Sequence, residues 1–344
     1  MLNHPTRLLF YFTLMTGTFI SISSTSWLGA WLGLEINLLS FLPLMSNMNN
    51  QFATEAALKY FLTQALASAI LLFSVITLSL QSSLLFSTFQ DNFSLSVIIS
   101  STLLLKMGAA PFHFWFPGVM EGLDWFNGLI LMTWQKIAPL MLISYVWTPN
   151  QFSFIIIVTC ILVGSIGGFN QTSLRKIMAY SSINHLGWML SATLLGETYW
   201  MTYFGFYVFL STSVILLFHA YQLSHINHFF NLPINNSILK LALFCNLLSL
   251  GGLPPFLGFL PKWILIQSLV DHHYTALVTM MVIFTLGTLY FYLRMGYSAF
   301  MLTHTQSKWI LFMSFSPMLQ SMTILLLSLS LTGLIFSPLL IPIL

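Results

Sequence analysis

The chain has 344 residues, of which 57% are hydrophobic and only 5% charged, with ten Lys or Arg against seven Asp or Glu for a net charge of +3. Length alone would suggest about two soluble domains, but apolar runs of about 20 residues recur from end to end and override that estimate, as in a polytopic helical membrane protein. No gap between runs is long enough for a soluble domain, so residues 1–344 read as a single membrane-embedded domain. Cys160 and Cys245 fall inside apolar runs without a C-x-x-C pair, which points to neither a disulfide framework nor an iron–sulfur site.

About eleven spans are expected, near 8–24, 26–45, 57–80, 93–117, 127–147, 151–169, 174–195, 199–222, 238–267, 274–301 and 317–342. The first starts just after Arg7 and reads as a retained span, without an obvious cleavage site. The second contains Gly29 and Gly33, a G-x-x-x-G pair that admits a close neighbour helix, and Glu35 near its middle. A carboxylate there is too short to reach the headgroups and needs a cation nearby to stay charged. Thr54 is a candidate cap for the third span, and Glu55 and Lys59 form a favourable i,i+4 pair. Lys59 and Lys240 lie near span starts and can extend their ammoniums to the headgroups, so neither needs a functional role.

Lys106 is placed roughly 20 Å into the fourth span at 1.5 Å per residue, one turn or less before a Gly108–Pro111 break. Lys136 is expected mid-span in Trp134-Gln135-Lys136-Ile137-Ala138-Pro139, with Pro139 loosening the helix just beyond it. The seventh span is entered through the cap-like Gln171-Thr172-Ser173 and holds a polar patch, Ser181-Ser182-Ile183-Asn184-His185. Lys262 follows a break in the ninth span, where it is either a buried relay group or a lysine reaching the far interface. His113, just past the first break, and His185 either hydrogen-bond water along a proton path or satisfy neighbouring helices. His225-x-x-His228 and His272-His273 lack a further ligand set, so no metal site is expected.

Two segments 144 residues apart share a pattern: Gly108, Pro111, Phe112 and Pro117 recur as Gly252, Pro255, Phe256 and Pro261. Proline lacks the N–H donor and crowds the preceding turn, and glycine adds freedom, so both spans should unwind at mid-depth. Backbone of that kind is tolerated only inside protein or along a wet cavity. As fourth and ninth spans they would run in opposite directions, the sequence pointer to inverted repeats with two discontinuous helices.

With eleven spans, one side receives Arg7, Lys59, Arg175, Lys176, Lys240 and Lys308, and the other Asp91, Glu197 and Asp271. The positive-inside rule then puts the N-terminus on the positive side. Against this frame Glu35, Lys106, Lys136 and Lys262 are exceptions: on insertion scales a lysine near the bilayer centre costs ~2.5–3.5 kcal/mol. Lysine suits a relay, because a buried ammonium can release its proton where arginine stays charged. Making or breaking a Glu–Lys pair would gate that release. The first functional reading is ion or proton handling.

Trp27-Leu28-Gly29-Ala30-Trp31-Leu32-Gly33-Leu34-Glu35, the runs TEAALKYFLTQ at 54–64, LLLKMGAAPFHFWFP at 103–117, WQKIAP at 134–139, GGFNQTSLRKIMAYSSINHLGWM at 167–189 and GGLPPFLGFLPKW at 251–263 resemble the mitochondrial NADH–ubiquinone oxidoreductase chain 2 family. The resemblance implies an antiporter-like core subunit of respiratory complex I in the inner mitochondrial membrane, its N-terminus in the matrix. It implies that Glu35 and Lys106 form the family's glutamate–lysine pair, that Lys136 is its central lysine, and that Lys262 belongs to its second broken helix. The expected order is that Glu35 tunes Lys106, Lys106 exchanges with Lys136, and Lys262 passes the proton on.

The chain has no G-x-G-x-x-G loop and no cysteine cluster. NADH, FMN, iron–sulfur clusters and ubiquinone are therefore expected in partner subunits, and no cofactor or redox chemistry in this chain. Expected partners are the other membrane and peripheral subunits and the lipids, not nucleic acid. A stand-alone cation/proton antiporter and a structural membrane spacer are the competing readings.

Overall fold

The computed structural model describes residues 5–47, 50–81, 93–231 and 237–300, together with Ser328 and Ser330. These residues form thirteen α-helices and no strand, only an isolated bridge between Ser173 and His225. The eleventh expected span, apart from those two serines, lies outside the described residues, as do Asp91 and Lys308. Five helical stretches are long and apolar enough to cross a membrane: Trp27–Met45, Gln51–Leu80, Trp125–Ser144, Glu197–Ala220 and Thr275–Tyr297. The other expected spans are either less apolar over a similar length, as at Pro5–Ser23 and Leu174–Thr193, or shorter.

The helices cluster in two compact units, residues 1–156 and 157–344. In the first, α1 (Pro5–Ser23) packs along α2 (Trp27–Met45). A Cβ on Gly33 would lie 2.8 Å from the Gly17 carbonyl oxygen, and one on Gly17 would lie 2.9 Å from the Asn37 nitrogen, so the two backbones touch. The close approach expected at Gly29 and Gly33 is therefore made at Gly33, and Gly17 is its partner. α3 (Gln51–Gln81) packs on α2 and on α4 (Phe93–Met107). Its first turn is capped by Asn50, whose Oδ1 accepts from the Phe52 amide at 3.1 Å. The cap expected at Thr54 is displaced because the helix starts earlier, and the Thr54 hydroxyl turns back to the Gln51 carbonyl at 2.8 Å.

The fourth span is split into α4 and α5 (Trp115–Gly122), as its glycine and prolines dictate. The fifth is split as well, into α6 (Trp125–Met132) and α7 (Trp134–Ser144). Lys136 lies near the middle of the Trp125–Ser144 stretch, as expected, and the split places it in the first turn of α7. The break falls at Thr133, upstream of Lys136, and not at Pro139 just beyond that lysine as the sequence suggests. The physical reason is directional: a proline ring crowds the carbonyl four residues earlier, so distortion is placed toward the N-terminus.

In the second unit α8 (Gln151–Ile166), most of which belongs to it, precedes α9 (Leu174–Thr193), whose residues are all buried from Ser181 to Thr193. A helix enclosed on every side needs small residues where neighbours cross it. A Cβ on Gly164 would lie 2.6 Å from the Asn184 nitrogen, which lets α8 cross against the α9 backbone. The cap-like residues before α9 are used through the backbone: Leu174 N donates to Ser224 O at 2.9 Å and Ile226 N to Thr172 O at 3.0 Å. Around α9 stand α10 (Glu197–Ala220) and α13 (Thr275–Phe300). The ninth span is split into α11 (Ser237–Gly251) and α12 (Phe259–Asp271), the latter running past the expected end at 267.

Large apolar side chains point outward on the long helices, including Phe12, 68% exposed, and Leu80, 81% exposed. An outward apolar face suits hydrocarbon as solvent, and the polar groups turn inward instead.

Candidate functional site

Each unit contains one of the repeated breaks, and both breaks turn on a glycine in the left-handed region: φ is +74° at Gly108 and +80° at Gly252. Only glycine adopts that region without steric cost, which explains why glycine opens both motifs. A helix end leaves carbonyls without intrahelical donors, and a buried break must supply substitutes. At the first break the Trp115 indole donates to Leu105 O at 3.1 Å, and the Gln64 amide to Lys106 O at 3.3 Å. At the second break the Lys262 ammonium itself donates to Gly251 O at 2.8 Å.

Lys106 lies in the last turn of α4, 7% exposed. Glu35, half-buried on α2, is the carboxylate that acts electrostatically on it and on Tyr60. Among the described residues the two make no direct ion pair, and Glu35 Oε1 is buried without a hydrogen-bond partner. Glu35 and Lys106 thus share a neighbourhood without touching. Lys136 is 1% exposed, and its ammonium sits 5.1 Å from the centre of the Phe116 ring, a cation–π distance.

Four residues that sequence reasoning passed over connect these groups. Gln135 Nε2 donates to Asn37 Oδ1 at 3.0 Å, and the Tyr60 hydroxyl donates to Gln135 Oε1 at 3.5 Å. Gln64, one turn beyond Tyr60 on α3, holds the Lys106 carbonyl. Tyr60 is wedged between the rings of Phe41 and Trp115, at centroid distances of 5.4 and 5.8 Å. The available signal was amides inside apolar runs, which bind helices together in membranes, and the i,i+4 spacing of Tyr60 and Gln64 on one helix face.

In the second unit Lys262 is 6% exposed and turned back into the break. It does not extend to the protein surface. Its ammonium also lies 5.9 Å from the Trp188 ring, whose other neighbour is Tyr203, stacked at 6.4 Å with an interplanar angle of 5°. His185 Nδ1 and the Tyr203 hydroxyl are 2.9 Å apart, and the Tyr207 ring packs 5.1 Å from the His185 ring. His185 is therefore close to the Lys262 neighbourhood through Tyr203 and Trp188. His113 is buried beside the first break with its ring against Phe114 at 4.3 Å, and its Nδ1 meets no described partner. Among the described residues no group of His, Cys, Asp or Glu is arranged to hold a metal ion.

Asn246, one and a half turns before Gly252, accepts a hydrogen bond through Oδ1 from the Ser330 hydroxyl at 2.7 Å. The Ser330 carbonyl accepts from Leu257 N at 3.2 Å, so this residue supports the second break from both ends.

The family model described as NADH:quinone oxidoreductase/Mrp antiporter, transmembrane, matches residues 24–290. The chain is 55% identical over 333 residues to NADH-ubiquinone oxidoreductase chain 2 of Anopheles gambiae, covering 95% of each. It is 45% identical over 326 residues to the Locusta migratoria protein of the same name, covering 94% of each. A chain in the structure of respiratory complex I from Thermus thermophilus with bound aureothin superposes with a TM-score of 0.83 at 25% identity, covering 97% of this chain and 80% of that one. A chain of the Mrp complex from Dietzia sp. shares the fold, with a TM-score of 0.76 at 17% identity over 84% of this chain and 59% of that one. With over half its length matched and relatives this similar end to end, the chain belongs to the NADH:quinone oxidoreductase/Mrp antiporter family and, within it, to the NADH-ubiquinone oxidoreductase chain 2 group.

Proposed function

We propose that this chain is a membrane subunit of NADH–ubiquinone oxidoreductase and moves protons, driven by electron transfer in partner subunits. The observation that supports this most is the coincidence, in each unit, of a left-handed helix break with a buried lysine: Lys106 beside Gly108 and Lys262 against Gly252. Intramembrane ionisable groups of this kind are costly and serve ion or proton pathways, and broken half-helices are where transporters of this architecture bind charge.

In this reading Lys106 and Lys136 exchange protons within the first unit, with Glu35 biasing Lys106 through space. The missing direct contact is useful: a carboxylate held off the ammonium modulates the charge without locking it. Lys262 performs the corresponding exchange in the second unit, and His113 and His185 are secondary proton-path groups. NADH, FMN, iron–sulfur and ubiquinone chemistry belongs to the other subunits, and this chain contributes no redox step. It forms one embedded domain in the mitochondrial inner membrane, surrounded by lipid and by other subunits of the complex, with its N-terminus in the matrix, where the positive loop residues collect.

The test is Lys106→Met in a genetically tractable host, measuring protons pumped per NADH oxidised beside the amount of assembled complex. Reduced pumping with normal assembly is expected, and wild-type stoichiometry would overturn the relay. Native purification provides the companion test: redox subunits should co-migrate with this chain, and their absence would leave an independent antiporter.

A further inference from the structure

The two breaks are capped differently. At the first, neutral donors from Gln64 and Trp115 hold the freed carbonyls, and Lys106 has Glu35 as its carboxylate. At the second, the lysine is itself the cap. Lys262 lies eleven residues beyond Gly251, on the far half-helix, and returns to donate to the Gly251 carbonyl at 2.8 Å. Among the described residues no carboxylate pairs with it. The side chain crosses directly over Gly252: a Cβ there would lie 2.9 Å from Nζ and 3.0 Å from Cδ. At Gly108, by contrast, the atoms nearest to a Cβ would be those of the Phe116 side chain, from 3.1 Å.

We infer that Gly252 is a positioning residue for Lys262, and that the counter-charge of this lysine is the C-terminal end of the broken helix α11 in place of a carboxylate. A helix C-terminus presents unsatisfied carbonyls and a partial negative charge, both of which favour a cation. Glycine serves two needs at this point. It adopts the left-handed turn that aims the Gly251 carbonyl at the ammonium, and it leaves the space through which the side chain passes. The consequence is a coupling between protonation and backbone: when Lys262 gives up its proton, the end of α11 loses its cation, and the break is free to rearrange. In the first unit the lysine and the cap are separate groups, so the same coupling is absent there.

The inference rests on Lys262 belonging to the proton path, and two measurements separate it from that reading. Gly252→Asn tests position, because asparagine tolerates the left-handed region yet adds the Cβ that displaces Nζ. In the assembled complex, Gly252→Asn should lower protons pumped per NADH oxidised and shift the pH profile of pumping. Combined with Lys262→Met it should add no further loss, as for two residues acting through one contact. Wild-type pumping and pH profile in Gly252→Asn, or a further loss in the double variant, would overturn the inference. Should Gly252→Asn fail to assemble, hydrogen exchange in Lys262→Met alone decides it. Removing the ammonium should speed amide exchange at residues 248–253, around the Gly251 carbonyl eleven residues upstream. Unchanged exchange there would sink the anchor even where pumping is lost, leaving the relay reading intact.

Discussion

Gln135 donates through Nε2 to Asn37 Oδ1 at 3.0 Å, joining α7 to α2 one residue before Lys136 and two residues after Glu35. Both amides are buried, and Gln135 also accepts from Tyr60, so the three side chains fix the helices that present the charged groups. Gln135→Leu leaves Asn37 without this donor and Tyr60 without this acceptor, a loss of about 1–3 kcal/mol for each buried group left unpaired. The expected result is lower thermal stability of the assembled complex and weaker pumping, followed by thermal inactivation of membranes. Asn37→Leu combined with Gln135→Leu should cost less than the sum of the two, and strict additivity would show that the contact is not what joins them.

The Gly17–Gly33 contact between α1 and α2 predicts a purely structural defect. A larger residue at Gly33 meets backbone on α1, which cannot move aside as a side chain does. Gly33→Val should push the helices apart and destabilise the chain by about 1–3 kcal/mol, the usual range for overpacking. Gly29→Val should cost less, because its nearest neighbours are the side chains of Ser24 and Ser26. Complex yield and inactivation temperature check the order. Equal losses would contradict the assignment of the contact to Gly33.

Lys136 over Phe116 predicts a separation of packing from charge. Phe116→Leu retains an apolar filler but removes the ring face beneath the ammonium, a loss of about 0.5–2 kcal/mol. Lys136→Met retains the volume and removes the charge. Assembly should survive in Lys136→Met while pumping falls severely, and Phe116→Leu should give a milder pumping defect. Pumping losses of equal size would mean that the ring does more than support the lysine.

The positions of the breaks at Gly108 and Gly252 were readable because glycine and proline act locally, through φ and the missing N–H. The third break was not, since Pro139 alone does not say how far upstream a distorted helix lets go, and Thr133 has no residue signature of a break. Burial of Lys106 and Lys136 followed from depth along an apolar run. The orientation of Lys262 did not, because a long flexible stem three residues into α12 reaches either outward or back, and only the free carbonyl of Gly251 decides between them. The amides and tyrosines were invisible for a different reason. Their partners lie on other helices: Asn37 and Gln135 are 98 residues apart in sequence, and no periodicity within one helix encodes such a meeting.

His185 and Tyr203 supply the last prediction. Their 2.9 Å contact lies inside the all-round buried part of α9. Tyr203→Phe keeps the ring that stacks on Trp188 and removes only the hydroxyl. Interhelical hydrogen bonds within membranes are worth about 0.6–1.7 kcal/mol, so the variant should assemble and lose only a little thermal stability. A proton-path role for His185 then requires that pumping fall by more than this modest stability change explains. Tyr203→Phe and His185→Gln should each lower the protons moved per NADH oxidised, and the pair should be no worse than His185→Gln alone. If both singles pump normally and only the inactivation temperature drops, His185 is a helix–helix contact and the proton route in this unit runs through Lys262 without it.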